Sequence, residues 1–447
     1  GDIEAFFDTI DHNVLIETLA ERIKDARFLR LIKKFLNAGY MEEWQFHKTY
    51  SGTPQGGIIS PILANIYLDK LDKYMKEYAE KFNTGVRRAH NPEYTAIQVE
   101  LRKWEYRLKR AVTVEERQEI LVHIKEIERK RCTIHSKVDM DANFKRLRYE
   151  RYADDFLIGV IGSKEDCRKI KQDLKNFLSE KLRLNLSDEK TLITHATSPA
   201  HFLGYEVSVR YSQLPMPGRK KVPTRYNNGK IVLKIPAGKI RDKLLEYNAL
   251  KIVVHNGKEV WKPQARVYLR NNDDLEILSR YNAEIRGFYN YYALALNSGI
   301  INNLKYVMQY SMLKTFATKY RTSKSAIIKR MRIGKDLGVK YADSKGRERT
   351  ALFYTEGFKR KKDITANCDI IPQTIVYSGR NSLMERIKAG KCEFCGKENV
   401  PLQMHHVRKL KNLKGKEPWE QFMISRKRKT LAVCEDCHHK IHGDKMD

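Results

Sequence analysis

The chain of 447 residues contains no run of about 18 consecutive apolar residues, the minimum length of a membrane-spanning helix. No secretory signal opens it. Acidic residues are scarce, with 55 Asp and Glu against 86 Lys and Arg. Hydrophobic residues nevertheless make up 41% of the chain, which is enough for two to four globular domains with their own cores. We therefore expect an intracellular globular protein without a membrane partner.

Cysteine is sparse before residue 392. Cys132, Cys167 and Cys368 are scattered, which is not the pattern of a disulfide framework. The other four cysteines form two Cys-x-x-Cys pairs, Cys392/Cys395 and Cys434/Cys437. Two such thiolate pairs complete a tetrahedral site, so the sequence predicts a structural Zn²⁺.

The net charge of +31 lies mainly in the second half of the chain. Residues 1–207 contain 36 basic and 33 acidic side chains, residues 208–385 contain 35 and 14, and residues 386–447 contain 15 and 8. An excess of this size indicates a polyanionic partner, most simply nucleic acid. The alternative is a solvated basic surface with no specific partner.

Two adjacent carboxylates, Asp154 and Asp155, lie between runs of β-forming residues. Tyr149–Tyr152 and Phe156–Ile161 are predicted strands, with Ala153, Asp154 and Asp155 at the turn between them. Asp by itself favours turns, so an exposed acidic turn is the simplest interpretation. The hydrophobic flanks favour a second interpretation, in which a cation neutralises the pair.

A third carboxylate fits the same site. Joining a nucleotide to a primer uses two divalent cations, one at the primer hydroxyl and one at the triphosphate, and carboxylates must hold both. Asp2 follows directly on what looks like the end of a strand, and we expect it to join Asp154 and Asp155. Asp8 is the weaker rival for this third position.

Further patterns predict the elements around these residues. Asp11 or Thr9 is a candidate cap for the helix that follows. A glycine-rich loop, residues 50–57, precedes a helix over Ile58–Met75, and free N–H groups there can face a ligand, although a plain loop is the alternative. Residues 83–146 are a predicted surface insertion. The insertion is predicted to contain two helices, Glu93–Arg110 and Val114–Lys130. After the Asp154–Asp155 hairpin we expect a helix over Lys164–Lys181 and short strands over residues 184–191 and 201–207.

The basic second half is predicted to be mainly helical. The expected elements are a strand over Lys230–Ile235 and helices over Lys239–Tyr247, Leu275–Leu296, Ile301–Tyr320 and Ser323–Met331. The second helix contains Tyr281, Tyr289 and Tyr291 near Arg280 and Arg286. Such aromatic residues can stack on bases, but helical tyrosines are as often part of a core. Residues 335–385 are predicted to form a flexible arm.

Five motifs, in the expected order, resemble the reverse transcriptases encoded by group II introns. These motifs are Gly1–His12, Thr53–Tyr67, Tyr152–Asp155, Ser187–Thr191 and Phe202–Tyr205. The resemblance implies an α+β right-hand polymerase palm in which Asp2, Asp154 and Asp155 hold Mg²⁺. It also implies that the fingers precede Gly1, so we expect the chain to be a fragment with an N-terminally incomplete palm.

The resemblance also implies roles for the residues that bind the substrates. Phe7 would lie beneath the incoming sugar and reject a 2′-hydroxyl, while Gln55 and Gly56 would line the nucleotide pocket. Lys190 would neutralise or protonate the leaving pyrophosphate, with an ordinary surface lysine as the alternative. Phe202 and Gly204 would support the primer end.

Histidines near the cysteine pairs resemble the H-N-H endonuclease domain, a ββα-metal fold that many group II intron proteins contain. By this resemblance His406 is the general base, and His405, His438 and His442 bind the nuclease metal, Mg²⁺. The middle asparagine of the pattern is not evident, since Lys429 and Thr430 stand near its position. A zinc ribbon that only binds DNA is therefore the alternative.

The predicted domains are a reverse transcriptase palm with partial fingers over 1–210, a thumb or maturase domain over 211–335, a basic DNA-binding linker over 336–385 and a zinc-containing H-N-H domain over 386–447. The implied function is target-primed copying of an intron RNA, assistance to its splicing, and nicking of target DNA. Its partners would be intron RNA, target DNA and deoxynucleoside triphosphates, in a bacterial cytoplasm or, alternatively, an organelle. The competing hypothesis is an RNA-binding splicing factor with a vestigial polymerase.

Overall fold

The computed structural model describes residues 1–42, 45–47, 51–53, 58–212, 216–217, 223–224, 228–342, 347–362, 383–406, 413, 415, 418–426 and 428–443. They separate into two units, Gly1–Val232 and Leu233–Asp447. Both units combine helices with small antiparallel sheets, as expected for an α+β protein. None of the helices described is long and apolar enough to cross a membrane.

The first unit is built from helices around several β-hairpins. In chain order its elements are α1 (Phe6–Thr9), α2 (His12–Ala20), α3 (Ala26–Asn37), β1 (Tyr40–Glu42), β2 (Gln45–His47), α4 (Ser60–Phe82), α5 (Pro92–Arg110), α6 (Val114–Thr133), β3 (Arg146–Tyr152), β4 (Asp155–Ile161), α7 (Lys164–Leu182), β5 (Ala200–Phe202), β6 (Tyr205–Val209), β7 (Met216–Pro217), β8 (Pro223–Thr224) and β9 (Ile231–Lys234). The boundary between the units falls inside β9.

The core of the first unit lies between α2, α4, α7 and the β3–β4 hairpin. Helix α7 contributes an apolar residue every four positions, which places all of them on one face. The buried residues of α4, α7 and the hairpin are Leu63, Ala64, Tyr67, Leu68, Leu71, Met75, Leu147, Phe156, Ile170, Leu174, Leu178 and Leu182. Helix α4 extends beyond the predicted end at Met75, because Tyr78 and Phe82 continue its apolar face against the same core.

The insertion after α4 folds as the predicted helical pair. Helices α5 and α6 begin and end within three residues of the predicted bounds, and Thr113 caps α6 by accepting a hydrogen bond from the Glu116 N–H. The two helices share a small core of their own, formed by Ile97, Leu101, Ala111, Ile120, Ile124 and Ile127.

The strand predicted over 184–191 is wrong. In this segment the backbone pairs at one position only, the bridge between Ile3 and Leu186. The chain then turns, since the Thr191 N–H bonds to the Ser187 carbonyl. A single bridge is too short to form a strand. For the same reason Asp2, which precedes Ile3, does not lie in a regular strand.

The second unit begins with helices and ends with a separate small fold. Its elements are α8 (Lys239–Glu246), β10 (Leu250–His255), β11 (Lys258–Pro263), the 3₁₀ helices Val267–Leu269 and Ser298–Ile300, α9 (Asp274–Tyr292), α10 (Ile301–Tyr320), α11 (Lys324–Met331), β12 (Arg332–Ile333), β13 (Asp336–Ala342), β14 (Glu348–Leu352), α12 (Leu383–Lys388), β15 (Leu402–His406), α13 (Pro418–Arg426), β16 (Thr430–Cys434) and α14 (Glu435–Gly443).

Helices α9 and α10 pack against each other through aromatic residues of α9. The sequence had left open whether these residues stack on bases or belong to a core. Tyr281, Tyr289 and Tyr292 are buried, whereas Tyr291 remains exposed. The Tyr281 hydroxyl lies 2.9 Å from Ser311 Oγ and 3.0 Å from Thr315 Oγ1. Most of the aromatic residues of α9 are therefore core residues rather than a stacking surface.

Two hairpins in this unit differ from the sequence-based expectations. The β10–β11 pair was not predicted, although its Asn256-Gly257 turn, with φ of 50° and 72°, is a strong hairpin signal. The flexible arm expected over 335–385 is wrong for its first part. There β13 and β14 form an antiparallel hairpin, whose end is fixed where Asn282 Nδ2 donates to the Leu352 carbonyl at 2.8 Å.

The C-terminal segment has the predicted ββα order. Strands β15 and β16 pair antiparallel from Leu402↔Cys434 to His406↔Thr430, and α14 follows β16 directly. Its core contains Cys392, Leu413, Trp419, Met423, Leu431, Val433, Cys434, Cys437 and Ile441.

Candidate active site and metal centres

The β3–β4 hairpin presents Asp154 and Asp155 at its tip. Tyr152 pairs with Asp155, so the connecting loop consists of Ala153 and Asp154 only. Ala153 has a φ of 53°, a left-handed conformation that is unusual for a residue with a Cβ. Both carboxylates are partly exposed. Both predicted strands are confirmed, and both are longer than predicted.

An arginine on the hairpin fixes the geometry of this tip. The Arg151 guanidinium donates to both carboxylate oxygens of Asp72 on α4, at 2.7 and 2.5 Å, and to the Ala153 carbonyl at 2.8 Å. The hydrogen bonds with Asp72 raise the pKa of Arg151. Sequence reasoning missed Asp72, because one acidic residue on a long helix gives no signal of its partner.

Asp2 is held next to the hairpin by backbone hydrogen bonds. The Phe156 N–H donates to the Gly1 carbonyl at 3.0 Å, and the Ser187 N–H donates to the Asp2 carbonyl at 3.0 Å. A Cβ at Gly1 would lie 2.4 Å from the Phe156 ring, so only glycine permits this approach. The two hydrogen bonds place Asp2 between the hairpin and the 184–191 segment.

The three aspartates form an acidic site that already contains a counter-charge. Burial, followed by the charges of Asp154 and Asp2, raises the pKa of Asp155. Lys190 Nζ lies 2.6 Å from Asp2 Oδ2, and this hydrogen bond raises the pKa of Lys190. Among the described residues, the groups whose ligand atoms all lie within 4.8 Å of one another are made of cysteines or of histidines, not of these aspartates.

The residues expected to contact the nucleotide are only partly described. Phe7 lies on α1 and is half-buried. The Thr53 N–H donates to the Phe7 carbonyl at 2.7 Å, so the start of the glycine-rich loop lies directly on the turn that contains Phe7. A Cβ at Gly52, whose φ is 79°, would lie 2.3 Å from the same carbonyl oxygen. The predicted pocket residues Gln55 and Gly56 fall outside the described residues.

The residues expected to support the primer end, Phe202 and Gly204, lie in a tight turn between two paired strands. Phe202 pairs with Tyr205, and the two residues between them, Leu203 and Gly204, have φ of 48° and 71°. Two consecutive left-handed residues form the turn type that matches the twist of paired strands. Strand β5 contacts β4, the strand that begins at Asp155.

The four predicted zinc ligands come together. The sulfur atoms of Cys392, Cys395, Cys434 and Cys437 all lie within 4.8 Å of one another, and the Cys395 and Cys434 sulfurs are 3.9 Å apart. A tetrahedral site with Zn–S bonds of about 2.3 Å has sulfurs roughly 3.8 Å apart. The cluster therefore has the dimensions of a zinc site.

The environment of Cys392 favours its thiolate. Burial by itself would raise the pKa of Cys392, but backbone N–H groups of Cys395 and Cys434, at 3.5 and 3.4 Å from the sulfur, lower it to about 7. A metal takes the thiolate form, so these N–H groups suit a ligand.

Three of the four predicted histidines form a second cluster. His405, on β15, lies against His438 and His442, which stand one turn apart on α14. The Nε2 atoms of His438 and His442 are 3.3 Å apart, and His405 completes a group of three whose ligand atoms all lie within 4.8 Å of one another. His406 follows His405 on the same strand, so it points to the opposite face and is exposed.

The position where an asparagine was expected is occupied by a structural residue. Thr430 is buried, and its hydroxyl accepts a hydrogen bond from Arg386 Nη1 at 3.0 Å. Arg386 also forms a bidentate ion pair with Glu393, at 3.0 and 2.6 Å, and Glu393 accepts from the Ala432 N–H at 2.7 Å. These contacts join the first cysteine pair to β16.

Known protein families match the regions of the chain that contain these residues. Three family models match, in order along the chain: reverse transcriptase (RNA-dependent DNA polymerase) at residues 1–97 and 120–207, type II intron maturase at 228–373, and AI2M/AI1M-like HNH endonuclease at 392–438.

Curated relatives match over the whole chain. The group II intron-encoded protein LtrA of Lactococcus lactis is 44% identical, with 100% of this chain and 74% of the relative aligned. The putative COX1/OXI3 intron 2 protein of Saccharomyces cerevisiae is 33% identical over 100% of this chain and 51% of its own length. The chain therefore belongs to the group II intron-encoded proteins, and it combines a reverse transcriptase with an intron maturase region and an HNH endonuclease domain.

Proposed function

We propose that Asp2, Asp154 and Asp155 hold two Mg²⁺ ions in a right-hand polymerase palm, and that the palm copies intron RNA into DNA. The observation that carries this proposal is the hydrogen bond from Phe156 to Gly1, because it brings Asp2 beside Asp155. The negative charges of Asp154 and Asp2 both act on Asp155, and carboxylate oxygens are the ligands that suit a hard divalent cation.

The residues around the aspartates would orient the reactants. Mg²⁺, when bound, lowers the pKa of the primer 3′-hydroxyl and offsets charge on the triphosphate. Lys190 would leave Asp2 and hold a proton beside the departing pyrophosphate. Phe7 would pack against the incoming sugar, Gln55 and Gly56 would line its pocket, and the turn between Phe202 and Tyr205 would support the primer end.

The test is primer extension on an RNA template by the double variant Asp154→Ala/Asp155→Ala. We expect extension to be abolished and RNA binding to be retained, since the acidic site lies in the nearly neutral part of the chain. Glu150→Ala removes an exposed carboxylate from the same hairpin and should leave extension unchanged. Extension by the double variant would refute the site. Absence of extension by the unaltered protein would favour a splicing factor with a vestigial polymerase.

For the nuclease we propose that His405, His438 and His442 bind one Mg²⁺ and that His406 is the general base for water. The support is the grouping of the three histidines, whose ligand atoms all lie within 4.8 Å of one another, and the exposure of His406 beside His405 on β15. Burial, followed by the charges of His442 and His439, lowers the pKa of His438, and a lower pKa favours the neutral form that binds metals. The four cysteines would hold a structural Zn²⁺.

Nicking of a DNA duplex tests the base. His406→Ala should reduce Mg²⁺-dependent nicking by about 10²–10⁴-fold, the usual contribution of a general base. Zinc content should not change, because His406 is not a member of the cysteine cluster. His439→Ala, an exposed histidine on α14, is the matched control and should nick normally. Unchanged nicking by His406→Ala would contradict the assignment.

In the cell, the proposed activities act in sequence on two partners. The maturase region would bind intron RNA and assist splicing, the HNH domain would nick target DNA, and the palm would extend the new 3′ end. We assign the protein to a bacterial cytoplasm, supported by the higher identity to the relative from Lactococcus lactis. Recovery of the protein in an organelle fraction of its host would contradict this location.

A further inference from the structure

Strands β10 and β11 form a two-stranded ribbon whose charged residues are sorted by face. Residues directly opposite each other share a face, and the register pairs Lys251 with Lys262, Val253 with Val260 and His255 with Lys258. We call these six residues the lysine face. The other face contains Ile252↔Trp261 and Val254↔Glu259.

The lysine face has no internal counter-charge. Glu259 is the acidic residue of the ribbon, and it lies on the other face, where it pairs with Arg241 at 3.0 Å. Among the described residues, Lys251, Lys258 and Lys262 form no ion pair within 4.0 Å. Like charges placed directly opposite each other destabilise a strand pair. The arrangement therefore costs stability unless an anion binds there.

The ribbon is fixed at its base and exposed along its length. Lys314 Nζ, on α10, donates to the Pro263 carbonyl at 2.6 Å, and the Gln264 N–H donates to the Ala249 carbonyl at 2.9 Å. Lys251, Lys262, His255 and Lys258 are all exposed. The pairs Lys251/Lys262 and His255/Lys258 are four residues apart, a distance of about 14 Å along the strands. A single small anion cannot reach both pairs, whereas a polymer of phosphates can.

We propose that the lysine face binds the phosphate backbone of an RNA duplex. The side chains of the central pair, Val253 and Val260, have no hydrogen-bonding groups. The polar contacts of the face therefore come from its lysines and one histidine, which suit phosphates and the shape of a duplex. RNA duplexes are recognised in this way, across a wide and shallow minor groove that accepts a flat ribbon. B-form DNA admits a two-stranded ribbon in its major groove, so groove width by itself does not select RNA over DNA. The choice of RNA rests on the maturase match at 228–373, which includes the ribbon.

The test compares two double variants of the full chain. Lys251→Gln/Lys262→Gln removes one cationic pair from the lysine face. Lys169→Gln/Lys181→Gln removes two exposed lysines from α7 and is the control of equal charge. The probes are a 20-base-pair RNA duplex, a DNA duplex of the same sequence and a single-stranded RNA, each titrated at several salt concentrations.

For the RNA duplex we expect the ribbon variant to bind about tenfold more weakly, with a slope of log K against log salt smaller by about 2. Its melting temperature should not fall, because a like-charge pair has been removed. An unchanged slope, an equal loss in the α7 control, or an equal loss on the DNA duplex would each overturn the proposal. The Asp154→Ala/Asp155→Ala variant should bind the duplex normally, so the ribbon and the polymerase site can fail separately.

Discussion

At the scale of single residues, the acidic site depends on contacts that lie outside the aspartates themselves. Asp154 sits in a two-residue loop beside Ala153, whose left-handed conformation is unfavourable for an alanine. The Ala153 carbonyl accepts a hydrogen bond from Arg151, and Arg151 is held by Asp72. The side chain of Arg151 is only 9% exposed, so losing its partner would leave a nearly buried charge. We therefore expect Asp72 to act as a positioning residue for Asp154 and Asp155, the proposed metal ligands.

The variant Asp72→Asn should slow primer extension by about 10–100-fold, as expected when a residue that supports metal ligands is changed. The apparent affinity for Mg²⁺ should fall as well, and a magnesium titration of the extension rate measures both effects. Asp69→Asn is the matched control, because Asp69 lies on the same helix and pairs with the exposed Lys73. Identical magnesium curves for Asp72→Asn and the unaltered protein would show that the Arg151 contact does not position the site.

At the scale of elements, helix caps position the segments that form the core of the first unit. Helix α7 begins with a capping box in which Ser163 Oγ accepts from the Asp166 N–H and Asp166 accepts from the Ser163 N–H. Lys145 Nζ also bonds to Asp166 at 2.7 Å. The Lys145 hydrogen bond and then the Ser163 backbone lower the pKa of Asp166. This cap fixes where α7 starts, immediately after β4.

The lowered pKa of Asp166 predicts a pH-dependent stability. Because its folded-state pKa lies below the unfolded value, the contribution is fully present at neutral pH and is lost as the pH falls through the folded-state pKa. Asp166→Asn should cost about 1 kcal/mol at pH 7, and the difference should vanish in acid. Urea unfolding of both proteins at intervals of about one pH unit between pH 3 and pH 7 measures the difference in their free energies of unfolding. A constant difference across this range would contradict the ionic origin.

At the scale of the whole molecule, the proposed polymerase site and the proposed nuclease site belong to different units of the chain. Asp2, Asp154 and Asp155 belong to the first unit, and the cysteine and histidine clusters belong to the second. Cys437 and His438 are neighbours on α14, so the proposed zinc site and the proposed nuclease site share one helix. Loss of zinc should therefore affect nicking and leave polymerisation intact.

The variant Cys395→Ser tests this separation, since Cys395 is the exposed member of the zinc cluster. We expect zinc content to fall from about one ion per chain to a small fraction of that value, because a four-ligand site loses one thiolate. Nicking should be lost and primer extension unchanged. Cys167→Ser, a half-buried cysteine outside the cluster, is the control. Normal nicking without zinc, or a loss of extension, would contradict the separation.

The patterns that could be predicted were local ones. The hairpin around Asp154 and Asp155, the helices of the insertion and the Cys-x-x-Cys pairs all rest on periodicity or spacing over a few residues. The β13–β14 hairpin could not be predicted, because its order comes from contacts with α9. The tyrosines of α9 were ambiguous for a similar reason: burial of a helix face is decided by its neighbour, here α10.

The sequence by itself determined the chemistry: which carboxylates, thiols and imidazoles are present, and in which order along the chain. Only the tertiary structure decided which of them meet. Asp2 reaches Asp155 through a hydrogen bond between residues 155 positions apart, Lys190 reaches Asp2, and His405 reaches a helix that starts 30 residues later. The physical reason is that such encounters depend on packing between distant elements, which no local pattern specifies.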